Sequence, residues 1–178
     1  MADIAKPSSK KNTNSTVAKT NIEKEEIKVV PKAVDDTQYV TVYNGFQGKL
    51  VYKSKHTNET FIWDKFGDEQ DIELRELKNA KSSNKAFFIN NWFTFKDEWI
   101  INYLGVRQFY KNALTIDRFD DIFTMNPKEL KKALEEMPEG QKSSVVFRAK
   151  ELIRDGKIDS LATISILEKC LNTELIER

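Results

Sequence analysis

His56 is the only histidine and Cys170 the only cysteine in the 178 residues. This limits the chemistry at once. Common zinc sites draw on several His or Cys ligands, so a histidine-based metal site within one chain is nearly excluded. A serine triad would have to use His56, which sits in a polar turn beside Lys55 with no GxSxG elbow in the chain. No GxxxxGK[ST] phosphate loop and no GxGxxG fingerprint occurs. Cys170 falls on the apolar side of a terminal helical pattern and reads as a structural thiol. Carboxylates cluster twice, as Asp68, Glu69, Asp71 and Glu73, and as Asp117, Asp120 and Asp121. Such groups can hold a divalent ion or serve acid–base work. Neither cluster has the spacing of a calcium loop, so solvated acidic turns are the simpler account. The residues predict no cofactor, no metal and no enzymatic activity.

The elements that carry these residues fall into four stretches: 1–38, 39–84, 85–125 and 126–178. Lys and Arg number 29 against 28 Asp and Glu, so the net charge is +1. A strong nucleic-acid binder more often has a clear basic excess. No run of ~18 apolar residues is present to span a membrane. The first residues lack the apolar centre of a secretory signal, and the single cysteine fits the reducing interior of a cell.

Residues 1–38 hold no aromatic residue and are rich in Lys, Ser, Thr and Asn. Such a segment buries too little apolar surface to offset the entropy of ordering, which predicts a disordered arm. A sharper alternative is an arm that orders on a partner. Ile27, Val29, Val30 and Val34 would then add a strand to a neighbour's sheet edge.

Tyr39 to Leu74 alternates like strands. Four short strands are predicted around 39–43, 49–53, 60–63 and 70–74, with Asn44-Gly45 as a turn between the first two. They suggest a small antiparallel sheet or open barrel, followed by a short helix through Leu74, Leu77 and Ala80. Lys49, Tyr52, Lys53, Lys55, Phe61 and Trp63 form the best candidate for nucleic-acid contact, with rings to stack on bases and lysines to meet phosphates. The competing account makes Phe61 and Trp63 the core face of a half-buried sheet. The acidic FGDEQDIELRE that follows favours it, because it would repel phosphate.

Residues 85–125 carry two aromatic runs, AFFI and WFTF, around Asn90-Asn91. The second is favoured as a strand. Asp97 is the predicted cap of a helix with Trp99, Ile100, Tyr103 and Leu104 on one face, stopped by Gly105. Asp117 is a candidate cap for a further helical segment. The stretch is read as an aromatic-rich connector whose side chains build the main core between the two halves.

Residues 126–178 give the clearest helix signals. Asn126-Pro127 caps and starts one helix, and Leu130, Ala133, Leu134 and Met137 are its stripe. A second helix runs from Gln141 to Asp155 with Gly156 as its stop. Asp159 or Ser160 caps a third, with Leu161, Ile164, Leu167 and Leu171 inward. A three-helix bundle results. As a helix-turn-helix it would offer Thr163, Ser165, Glu168 and Lys169 to bases, a set without arginine, and Lys142, Arg148, Lys150 and Arg154 to phosphates.

From Val40 to Arg178 the run GKLVYKSK…TNE…W..FGDEQ..EL.EL.NAKSS, then FF..NWF, LGV..FYKNAL and the closing GQKSSV…AK.LI..G.IDS…LE…LIER resembles a poorly characterised family from tailed bacteriophages, mainly those of Gram-positive hosts. The resemblance implies a small virion structural or assembly protein and carries over no catalytic residue. Together these readings predict an α+β protein acting by protein–protein docking. Its partners would be other phage particle proteins in a symmetric multi-copy assembly, and it would be found in the virion and, during assembly, in the host cytoplasm. The alternative is a nucleic-acid-binding regulator in the infected cell.

Overall fold

The computed structural model describes residues 34–176. The arm residues Ile27, Val29 and Val30 lie outside the described residues. The fold is α+β, with small antiparallel sheets followed by helices. Its strands are β1 (Tyr39–Asn44), β2 (Leu50–Lys53), β3 (Thr60–Trp63), β4 (Glu69–Glu73) and β5 (Phe93–Thr94). Helices α1 (Leu74–Ser83) and α2 (Ala86–Ile89) precede β5, and α3 (Glu98–Leu104) and α4 (Arg107–Tyr110) follow it. Two 3-10 turns, Ile116–Arg118 and Asp120–Thr124, lead to α5 (Pro127–Glu136), α6 (Glu139–Arg154) and α7 (Leu161–Leu171).

The strands form at the predicted places but pair differently from a simple meander. β1 lies between β4 and β5, while β2 and β3 make a separate hairpin. The reason lies at Asn44-Gly45. The pair does not turn a hairpin. Asn44 is the last residue of β1, fully buried, and ties together two loops. Its Nδ2 donates to the carbonyls of Gly48 and Lys65, each at 2.8 Å, and its Oδ1 accepts from the Phe46 amide. Its backbone bonds Gly67 and Asp68. With these bonds made, β1 continues into a loop and takes β4 as its partner.

Two apolar cores follow. The first gathers Val40, Val42, Tyr52, Trp63, Ile72 and Leu77 with Phe88, Phe93, Phe95, Ile100 and Leu104. The second gathers Phe119, Ile122, Leu130, Leu134, Val145, Ala149 and Leu167. The boundary falls inside the predicted connector. Its aromatic half completes the first core, and its end belongs to the helical core. Of the two aromatic runs, AFFI is a helical turn, and only Phe93–Thr94 of the second is strand. Asn91, with φ of 52°, makes the reversal between them, in a conformation that asparagine tolerates well. Tyr52 is central to the first core, its ring packed edge-on to Phe87 and Phe93. Its hydroxyl donates to Glu76 on α1 at 2.5 Å, and burial raises the phenol's pKa.

The helical end matches its sequence signals closely. Asn126 accepts from the amides of Lys128 and Glu129. Ser160, one of the two candidates, caps α7. Gly105 and Gly156 adopt positive φ after α3 and α6. Two details differ. Asp117 lies inside a 3-10 turn that Thr115 begins. Leu161, predicted to face inward, is 74% exposed, as the first residue of α7 directly after its Ser160 cap.

The predicted arm also ends earlier than residue 38. Val34 packs against the first core. Asp36 accepts hydrogen bonds from Lys78 on α1 and Tyr103 on α3. Its carbonyl accepts from the Arg75 amide, and the Gln38 carbonyl from Leu74. Val34 is thus part of the folded unit and not of a docking arm.

The cores meet where backbone touches backbone. The Gly45 amide donates to the Trp92 carbonyl, and its carbonyl accepts from Ser144 Oγ of α6 at 2.8 Å. A Cβ on Gly45 would stand 2.1 Å from the Asn91 carbonyl oxygen, and one on Gly140 of α6 would stand 2.2 Å from that of Ile89. Neither neighbour is a side chain that can swing away. Gly45→Ala is therefore expected to cost at least about 1–3 kcal/mol, the range of overpacked cores, as read from urea unfolding. An unchanged midpoint would show that the backbones can separate freely.

A second expectation concerns acid. The hydrogen bonds from Lys78 and Tyr103 hold the Asp36 carboxyl below its ordinary 3.8. A depressed carboxylate contributes stability that is complete above its unfolded-state value and is lost as pH falls through the folded one. Asp36→Asn should flatten the pH dependence of unfolding below about pH 4, with little change in slope near neutrality.

Candidate docking groove

The base-stacking platform predicted on the hairpin is not assembled. Tyr52 and Trp63 are buried, and Phe61 stacks on Tyr52. The Trp63 indole N–H donates to the Val42 carbonyl at 3.0 Å, inside the protein. Strand alternation sends these rings to the core and leaves the lysines outside. Lys49 pairs with Asp64, Lys55 donates to the Ser83 carbonyl, and Lys53 is exposed.

The acidic clusters are engaged in local structure. Asp68 accepts from the amides of Asp64 and Lys65, and Asp71 from the Thr41 hydroxyl. Asp117 pairs with Lys96, Asp120 with Arg148, and Asp121 with Arg118. Among the described residues no cluster of His, Cys, Asp or Glu could hold a metal. His56 is exposed in the β2–β3 turn, and Cys170 is a partly buried free thiol.

A groove of about 960 Å³ lies between the two cores. Gln47 and Gly48 from the loop after β1 form one wall, with Lys65 and Phe66 from the loop after β3. The 3-10 turns give its floor, and α6 gives the other wall. Arg148 fixes that wall. Its guanidinium grips Asp120 through two hydrogen bonds of 2.9 and 2.5 Å and reaches Glu151 at 2.6 Å. These carboxylates raise the arginine's pKa further, so its charge is permanent.

Phe147, the residue before it, is 55% exposed on the groove wall. Its ring meets Phe46 edge-on at 6.3 Å, and Phe46 meets Trp92 at 6.0 Å. A line of rings thus runs from the first core to the surface. Gln47 adds a buried amide nitrogen without a partner among the described residues. Lys65, Lys150 and Arg154 line the same groove.

The possible phosphate contacts on this helix are Lys142, Arg148, Lys150 and Arg154, of which Lys142 pairs with Glu139. The structure commits Arg148 to carboxylates. Phe147 was missed altogether. Its one signal is position, since a phenylalanine between the inward Val145 and Ala149 falls off the apolar stripe of α6.

Compared with known proteins, the chain matches no protein-family model, no curated protein and no solved structure. No helix among the described residues is long and apolar enough to cross a membrane.

Because Arg148 holds α6 to the turn at Asp120, Arg148→Ala should lower stability by about 1 kcal/mol, allowing for the partial exposure of its partners. Urea unfolding checks this. The double variant with Asp120→Ala should lose less than the sum of the two single losses.

Proposed function

We propose that this protein is a non-enzymatic structural or accessory component of a tailed-phage particle, acting by docking onto other particle proteins. The observation that carries the docking part is Phe147, a large apolar ring left half exposed in a groove whose walls are fixed by buried hydrogen bonds and ion pairs. Aromatic side chains in concave, rigid surroundings supply much of the binding energy at protein interfaces. The lysines and arginine around the ring suit a partner that presents an apolar side chain flanked by carboxylates or carbonyls. The particle assignment rests on the sequence resemblance across residues 40–178. Virion and host-cytoplasm locations, and repeated copies in a symmetric assembly, belong to the same proposal. The regulator alternative loses the hairpin's stacking rings to the core, and in the groove Phe147, Lys65, Lys150 and Arg154 stand beside Asp117, Asp120 and Glu151, which would repel phosphate.

Mass spectrometry of intact particles washed at high salt tests the assignment. Stoichiometric presence of the protein is expected. Its absence from particles, with abundance in infected cells, overturns the reading and favours the nucleic-acid regulator. Phe147→Asp should deplete the protein from particles while leaving its unfolding midpoint nearly unchanged, since exposed substitutions shift stability by about 0.5 kcal/mol or less.

A further inference from the structure

The hairpin β2–β3 has one covered edge and one bare edge. Its register pairs Leu50 with Trp63, Val51 with Ile62, Tyr52 with Phe61 and Lys53 with Thr60. The Ser54 amide donates to the Glu59 carbonyl. In an antiparallel pair, hydrogen-bonded residues alternate with non-bonded ones. Leu50 and Tyr52 therefore bond across to β3, while the amides and carbonyls of Val51 and Lys53 point away from it. No hydrogen bond to those groups occurs among the described residues. On the far side of β3, the Gln70 side chain caps the Ile62 carbonyl. The bare edge therefore belongs to β2.

The outer face along that edge is patterned. Tyr52 points into the core, so Lys49, Val51 and Lys53 point outward. Val51 is 48% exposed, and its cross-strand neighbour Ile62 is 42% exposed. An apolar pair flanked by lysines thus borders unpaired backbone. Natural sheet edges of this kind invite strand addition.

The chain itself carries the complementary pattern. In Ile22-Glu23-Lys24-Glu25-Glu26-Ile27-Lys28-Val29-Val30, alternate positions give Glu23, Glu25, Ile27 and Val29. With Ile27 opposite Val51, Glu25 meets one of the flanking lysines. Lys53 has no ion-pair partner among the described residues to compete for it.

We propose that residues 22–30 of a second copy of this chain add as a strand to the free edge of β2, so that copies associate from arm to hairpin. A second copy is preferred to the chain's own arm. Asp36 fastens the start of the fold to α1 and α3, so the arm departs from a fixed point, and closure within one chain is the outcome that decides against a second copy. The association is separate from the groove, and because the donor arm and acceptor edge lie at different places it is heterologous, able to close a ring or extend a chain.

Full-length protein carrying Cys170→Ser tests it. One preparation bears Ile27→Cys and the other Val51→Cys, the latter at an exposed position. Opposed strand residues sit about 5.5 Å apart at Cα, within disulfide reach. Mixing the two under mild oxidation is expected to yield a cross-linked heterodimer. A chain bearing both changes should give linked multimers and not an internally closed monomer. Closure within one chain overturns the second copy as occupant, and no cross-link in either experiment overturns the arm. Sedimentation velocity adds a readout without cysteines. Ile27→Asp should weaken self-association about tenfold or more by removing the apolar contact. Lys53→Glu should weaken it and Glu25→Lys in the same chain should restore it. Unchanged association in these variants overturns the proposal.

Discussion

A single asparagine and the glycine after it hold the two halves of this fold in register. Asn44 is fully buried, yet its side chain makes bonds to Gly48, Lys65 and Phe46. An aspartate there would lose the donors, and a leucine would leave several buried backbone groups unpaired, at about 1–3 kcal/mol each. Gly45 then lets the end of β1 approach the backbone at Asn91 and Trp92 and offers its carbonyl to the helical core. The Ser144 hydroxyl closes the contact from α6. Gly140 repeats the device one turn earlier on that helix. The joint is therefore made of polar groups and missing side chains. Apolar packing lies mostly in the cores on either side, with Phe46–Phe147 and Phe66–Phe119 crossing between the halves.

The groove is a consequence of this joint. Loops tied to Asn44 form one wall, and α6, set at a fixed approach by Gly140 and Ser144, forms the other. The Arg148–Asp120 pair then anchors α6 to the floor. With both walls fixed by these interactions, Phe147 has Phe46 as its aromatic neighbour. It stays at the surface on a rigid helix, which lowers the ordering cost of any contact it makes.

Much of the architecture was legible in the sequence wherever a local rule decided it. The helix caps at Asn126 and Ser160 and the stops at Gly105 and Gly156 read correctly, since a cap needs only its own few neighbours. Strand positions read correctly from alternation. Pairing did not, because it depends on residues far apart in sequence. Asn44-Gly45 is the instructive case. Asparagine followed by glycine serves a tight turn because one tolerates unusual backbone angles and the other lacks a Cβ. The same two properties serve a buried polar hub beside a close backbone approach, and only the distant Asn91 and Ser144 decide between them. Val34 was assigned to the arm on composition, while its fate was set by Asp36 reaching Lys78 and Tyr103. The groove was the least legible feature. Phe147 counts as one more apolar residue until the three-dimensional path of α6 shows it facing outward.

The exposed apolar residues at the two proposed contact surfaces share a physical logic. Phe147 sits on a long helix pinned by an arginine, and Val51 and Ile62 sit on a hairpin whose inner face is nailed down by Tyr52, Phe61 and Trp63. In both places the side chains that strand or helix periodicity sends inward anchor the element, and the next residues along the chain are thereby forced out. A hairpin cannot bury Trp63 and Tyr52 without presenting Val51 and Ile62 to solvent. A polar residue would serve equally well at those outward positions if solvation were the only demand on them. A valine and an isoleucine directly opposite one another, bordered by lysines beside unpaired backbone, fit instead a surface that another chain covers, and that is the physical ground for treating the hairpin edge as a contact of the assembled protein.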